Sequence, residues 1–95
     1  MKAATETIRL RITGKVQGVG YRIWATHTAA RLELRGWVRN RSDGSVEALV
    51  TGAADRISQM VKASRAGPPG ARVAEVTVVP DDDDGSEGFI ALPTM

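Results

Sequence analysis

The segment Gly14-Lys15-Val16-Gln17-Gly18-Val19-Gly20-Tyr21-Arg22 places three glycines and an arginine within nine residues. Glycines let a backbone fold tightly and turn several N–H groups toward one point, an arrangement that binds anions. The segment runs directly into a stretch without glycine or proline, so it opens a helix whose first N–H groups are unpaired and whose dipole favours negative charge. Arg22, in the first turn, adds a planar cation able to grip a phosphate through two parallel hydrogen bonds. A glycine-rich turn needed only to enter a helix is the plainer reading. Arg22 weighs against it, because it shares a helical stripe with Ala25, Ala29 and Leu32. A guanidinium at the edge of a core face needs an anion or water as partner. The pattern is neither G-x-x-x-x-G-K-[ST] nor G-x-G-x-x-G, so nucleotide-loop chemistry is not implied.

Asn40 is the second candidate. By alternation it shares a face with Val38 and stands where its strand ends. Its amide can accept from one group and donate to another, as orienting a water requires. It can equally bond its own turn, Asn40-Arg41-Ser42-Asp43-Gly44.

The elements that must bring these residues together are legible as hydrophobic periods. Ile8, Leu10 and Ile12 alternate with Arg9, Arg11 and Thr13, which predicts a half-buried strand over 8–13. A glycine-rich turn over 14–20 and a helix over about 22–33 follow. Strands are expected over 36–40 and 45–50, joined by the strong hairpin signal Asp43-Gly44. A second helix is expected over about 53–64, with Ile57, Met60, Val61 and Ser64 on one face, stopped by Gly67-Pro68-Pro69-Gly70. Strands over 73–79 and 88–92 complete the chain. The order β-α-β-β-α-β with a short fifth strand predicts an α+β, ferredoxin-like sandwich: two helices on one face of an antiparallel sheet. A right-handed crossover makes the first two strands parallel, so the glycine loop and Asn40 reach the same edge.

Ninety-five residues are read as a single domain spanning 1–95, too short to divide its apolar surface between two cores. There is no cysteine, which excludes disulfides and thiolate metal sites. No apolar run approaches the roughly 18 residues of a membrane span, and Met1 to Arg11 lacks a signal-peptide core, so no membrane association and a cytoplasmic location are expected. The net charge is +2, but Asp81 to Asp84 hold −4 and the rest of the chain therefore +6. Arg9, Arg11, Arg35, Arg39 and Arg41 make a surface that attracts anions. His27, two positions beyond Ala25, is expected to face solvent without a catalytic role. Trp37 is placed beside Arg35 and Arg39 on the face away from the helices, as a packing residue, and Trp24 against the loop. The aspartate run fails the EF-hand spacing and reads as a solvated acidic loop. An RNA-recognition module would need aromatic residues on the third strand, which reads Ser45-Val46-Glu47-Ala48-Leu49-Val50 and has none.

The stretch G-K-V-Q-G-V-G-Y-R, followed by G-W-V-R-N-R-S-D-G-S-V-E, resembles the two signature stretches of the acylphosphatase family, and Gly67-Pro68 and Ala71-x-Val73 also resemble its pattern. The similarity covers roughly residues 6 to 92. The resemblance implies hydrolysis of the carboxyl–phosphate bond of small-molecule acyl phosphates, without metal, cofactor or phosphoenzyme. It implies that Arg22 and the N–H groups of Val16, Gln17, Gly18, Val19, Gly20 and Tyr21 bind the phosphate, and that Asn40 positions the attacking water. Inorganic phosphate and sulfate are then expected to compete, no nucleic acid to bind, and the chain to be a monomer. Such domains also occur as binding units of larger carbamoyl-phosphate-using enzymes, and the short stretch after the last strand favours a free-standing enzyme instead. One departure is Leu32-Glu33-Leu34 where the family usually has Leu-Gly-Leu; a left-handed Glu33 would cost roughly 1 kcal/mol.

Overall fold

Alternation of Ile8, Leu10 and Ile12 with Arg9 and Arg11 becomes β1 (Thr5–Lys15) in the computed structural model, which describes residues 4–95. The elements continue as α1 (Tyr21–Arg31), β2 (Arg35–Asn40), β3 (Val46–Ala53), α2 (Ala54–Ser64), β4 (Arg72–Pro80) and β5 (Phe89–Ala91), in a sheet of order β4-β1-β3-β2-β5. Both β1 and β2 pair antiparallel with β3 and so run parallel to each other. Val46 lies opposite Ile12 on one side and Asn40 on the other, which sets the ends of β1 and β2 side by side. β5 joins β2 in parallel, so the sheet is mixed rather than wholly antiparallel. One sheet face carries the core. Leu10, Ile12, Val38, Val46, Ala48 and Val50 bury there against Ala25 and Ala29 of α1 and Ile57 and Met60 of α2. No helix among the described residues is long and apolar enough to cross a membrane.

Several boundaries differ from expectation for identifiable reasons. Gly14 and Lys15 extend β1 through a bulge at Thr13/Gly14 instead of starting the loop. Gly14 has φ +115, and a Cβ there would lie 2.2 Å from the Arg72 carbonyl oxygen, so backbone proximity selects the glycine. The helix stops at Arg31, two residues before Glu33. Its end is a Schellman arrangement: Glu33 N–H donates to Ala30 O at 3.1 Å and Leu34 N–H to Ala29 O at 2.9 Å, with Glu33 left-handed at φ 57. Glu33 therefore carries the expected strain, and its pair with Arg56, at 3.9 Å and highly exposed, returns little. Relief of strain exceeds the extra chain entropy of glycine. Glu33→Gly is expected to stabilise the protein by about 0.5–1 kcal/mol. A thermal melt should rise by about 4 °C; an unchanged or lowered midpoint would remove the strain.

The open sheet face is not the anion-attracting surface that the charge count suggested. Glu47, nearly buried, holds Arg39 at 2.7 Å, Arg41 at 3.2 Å and Arg9 at 3.8 Å. Asp43 holds Arg11 at 2.6 Å. The aspartate run is exposed but committed: Asp81 pairs with Arg9 at 2.8 Å, Asp83 takes Arg35 through both oxygens, and Asp84 accepts from Trp37 Nε1 at 3.1 Å. It is a strap across β1 and β2 rather than a merely solvated loop. Trp37 meets it from below while the Arg39 guanidinium stands 4.7 Å from the ring centroid, so this aromatic packs, as expected.

Candidate functional site

Beyond Lys15 the buried Val16 anchors the loop, and Gly18 (φ +73) and Gly20 (φ +79) turn it into α1. A Cβ at either glycine would meet nothing within 4 Å, so it is the left-handed torsion that favours glycine here. Gly20 is the N-cap of α1, with no side-chain cap and no acidic residue in the first turn. Among the described residues, none of the backbone N–H groups from Gln17 to Arg22 donates to another group, and the helix ladder begins with Trp24 N–H to Gly20 O at 3.0 Å. A row of unpaired donors at a helix N-terminus is an anion site waiting for its charge.

These donors border a cavity of about 140 Å³, lined by Val16, Gln17, Gly18 and Gly20 of the loop, Tyr21, Arg22 and Ile23 of α1, and Asn40 at the end of β2. A pocket for a drug-sized or nucleotide-sized ligand would be several times larger, about 300–1,000 Å³. The space suits one small tetrahedral anion and water. Arg22 is half-buried at its rim and donates through Nη1 to Leu92 O at 3.1 Å, and among the described residues it has no carboxylate within 4 Å. It thus retains donors and its full charge for a ligand, unlike the paired arginines of the open face. Leu92 was not foreseen. Nothing in its local sequence marks it, because it reaches Arg22 only through the parallel β2–β5 pairing and its own N–H bond to Val38 O at 2.8 Å.

Asn40 lines the same cavity, and its side-chain amide makes no hydrogen bond among the described residues. The competing reading, an asparagine capping its own turn, fails because Asp43 does that work. Asp43 Oδ1 accepts from Ser45 N–H at 2.9 Å and Ser45 Oγ at 2.6 Å. Those bonds, helped by Arg11, hold the Asp43 carboxyl down to about 2. The Asn40 carbonyl accepts from Met95 N–H at 3.0 Å, which fixes the residue while leaving the amide free.

The cradle residues serve in different ways. Gln17 Nε2 donates to Arg41 O at 2.8 Å and Ser45 O at 2.9 Å, so its side chain bolts the loop to the β2–β3 hairpin. That bolt fixes the spacing between the loop and Asn40. Tyr21 offers its backbone; its ring is buried, edge-on to Trp24 with centroids 5.2 Å apart, and its hydroxyl donates to Ser64 O at 2.7 Å. Trp24 thus packs on Tyr21, where the loop enters the helix. Burial pushes the Tyr21 phenol up to about 12. Gly67 (φ +67) leaves room for that ring, since a Cβ there would lie 2.7 Å from Tyr21 Cε2. Val19 is the candidate that does not line the cavity; its side chain lies against Gly70. His27 is exposed on α1 and stands outside the cavity, as expected. No lining residue carries a carboxylate, imidazole or thiolate.

The family model for acylphosphatase matches residues 8–91. An acylphosphatase of Rhodospirillum rubrum is 48% identical over 95% of this chain and 99% of its own. One of Rhizorhabdus wittichii is 46% identical over 92% and 88%. The crystal structure of acylphosphatase from Bacillus subtilis superposes with a TM-score of 0.89 at 32% identity, covering 94% of this chain and 99% of that one.

Proposed function

The chain belongs to the acylphosphatase family, and from that premise we propose that Arg22 and the loop N–H groups from Val16 to Arg22 hold the substrate phosphate while Asn40 orients the attacking water. The enzyme hydrolyses the carboxyl–phosphate bond of small acyl phosphates to carboxylate and inorganic phosphate. The observation that carries the residue assignment is the meeting, around one small cavity, of N–H donors, an arginine and an asparagine amide that have no partner carboxylate or acceptor of their own among the described residues, apart from the Arg22 bond to Leu92 O. Bound there, the three equatorial phosphate oxygens are met by donors fixed before the reaction begins, so charge developing on them is stabilised without reorganisation. The Asn40 amide oxygen accepts from the water and so aligns its attack on phosphorus. The water oxygen bonds to phosphorus as the bond to the acyl oxygen breaks. The electron pair leaves with a carboxylate, which needs no proton, and the proton of the water passes to a phosphate oxygen. Inorganic phosphate and sulfate compete because they present the same oxygens.

No group around the cavity is suited to act as a base near neutrality. Amides do not titrate, and the Tyr21 phenol, pushed up to about 12, stays protonated. Hydrolysis of acetyl phosphate is therefore expected to be nearly flat between about pH 5 and 8, apart from ionisation of the substrate itself. EDTA should leave the rate unchanged, and His27→Ala should retain close to full kcat/KM on this substrate. A bell-shaped profile with a limb near the usual histidine range, lost in His27→Ala, would replace this mechanism by one with a protein base.

A further inference from the structure

Ile23 is 67% exposed although it lies beside Arg22 in the first turn of α1. A lone exposed isoleucine needs no explanation, but this one has two neighbours of interest. It borders the phosphate cavity, and it also forms a wall of an adjoining shallow depression of about 200 Å³ completed by Thr26, His27 and Ala91. Ile23, Thr26 and His27 fall at i, i+3 and i+4 and so share one helix face. Ala91 comes from β5, opposite the fully buried Val38. The Thr26 hydroxyl is spent on Arg22 O at 2.8 Å, which leaves its methyl group uncommitted. The depression holds no carboxylate and is apolar apart from the His27 ring and that hydroxyl.

The other side chains around the cavity already have work. Val16 and Tyr21 are in the core, Gln17 is bonded to the hairpin, and Arg22 and Asn40 are given to phosphate and water. Ile23 is the apolar side chain that remains, and it leads out of the cavity into the depression. A phosphate held in the cradle must carry its acyl group outward, on the side of phosphorus away from the water. We propose that the depression between Ile23 and Ala91 is the acyl subsite, and that it favours substrates with an aromatic or branched aliphatic acyl group over the smallest acyl phosphates. This rests on the cradle reading, because the depression adjoins the substrate only when phosphate occupies that loop. The apolar acyl group covers Ile23, and its contacts persist in the transition state because the leaving carboxylate has not yet departed.

The test compares kcat/KM for benzoyl phosphate and acetyl phosphate in the wild type, Ile23→Ser and Ile23→Leu. Serine and isoleucine have similar helix propensities and the site is exposed, so the fold is retained. Using the ratio of the two substrates within each protein cancels their differing intrinsic reactivity when variants are compared. The benzoyl-to-acetyl ratio is expected to fall about five-fold in Ile23→Ser, the scale for an aromatic ring losing an apolar neighbour on one side. It should stay within about two-fold of wild type in Ile23→Leu, which keeps the apolar surface. A ratio unmoved by Ile23→Ser, with Arg22→Gln still disabling hydrolysis of both substrates, overturns the subsite alone. Normal hydrolysis by Arg22→Gln overturns the cradle and the subsite with it.

Discussion

Arg22→Gln is expected to lower kcat/KM for acetyl phosphate by about 10³-fold, with KM raised and kcat reduced together. The guanidinium meets phosphate in the ground state and more strongly in the transition state, as charge builds on the equatorial oxygens. Glutamine keeps an amide able to reach a carbonyl such as that of Leu92, but it loses the charge and the second parallel donor. A factor of 10³ corresponds to about 4 kcal/mol of transition-state stabilisation. Inorganic phosphate should inhibit the variant more weakly, because the product makes the same contact. Stability should hardly change: Arg22 is half-buried, and its bond within the protein is to one carbonyl. Steady-state kinetics with a thermal melt tests both halves of this expectation. Near-normal kcat/KM in a folded variant removes Arg22 from the site.

Asn40→Ala should show a different signature. Here kcat is expected to fall by about 10²–10³-fold while KM moves little, since the amide acts on the water and not on the bound phosphate. Its side chain has no hydrogen bond within the described residues, so truncation leaves no buried partner unsatisfied. Its backbone bond to Met95 and its ladder with Val46 persist. Competition by inorganic phosphate should be nearly that of wild type. The contrast between the variants is the diagnostic, with phosphate affinity lost in Arg22→Gln and kept in Asn40→Ala. An Asn40→Ala enzyme with normal turnover would return Asn40 to a structural role.

Much of this was legible before any coordinates. Period-two alternation in Ile8–Thr13, the Asp43-Gly44 turn and the Gly67-Pro68-Pro69-Gly70 stop are local signals, and local signals fix element type and order. The order then dictates that the ends of β1 and β2 coincide, which brings the glycine loop to Asn40. The left-handed Glu33 was also readable, because a helix end that usually takes glycine imposes its torsion on whatever residue replaces it. Residue type alone marked Arg22 as a cation at a helix start.

Tertiary structure decided what no local window contains, namely which group meets which. Gln17 was one of several loop donors until Arg41 O and Ser45 O, 24 and 28 residues away, made its side chain a bolt. Asp81–Asp84 read as solvated because charge runs usually are. Only the strand order shows Asp81, Asp83 and Asp84 meeting Arg9, Arg35 and Trp37. Among the described residues the same pairing leaves the cradle arginine without a carboxylate while the arginines of the open face are neutralised, a difference invisible in a net charge of +2. Sequence thus determined the elements and the chemistry available at their ends. The fold determined which of those groups are already satisfied and which remain free for a substrate, because hydrogen bonds and ion pairs are settled by distances of a few ångströms between residues far apart in the chain.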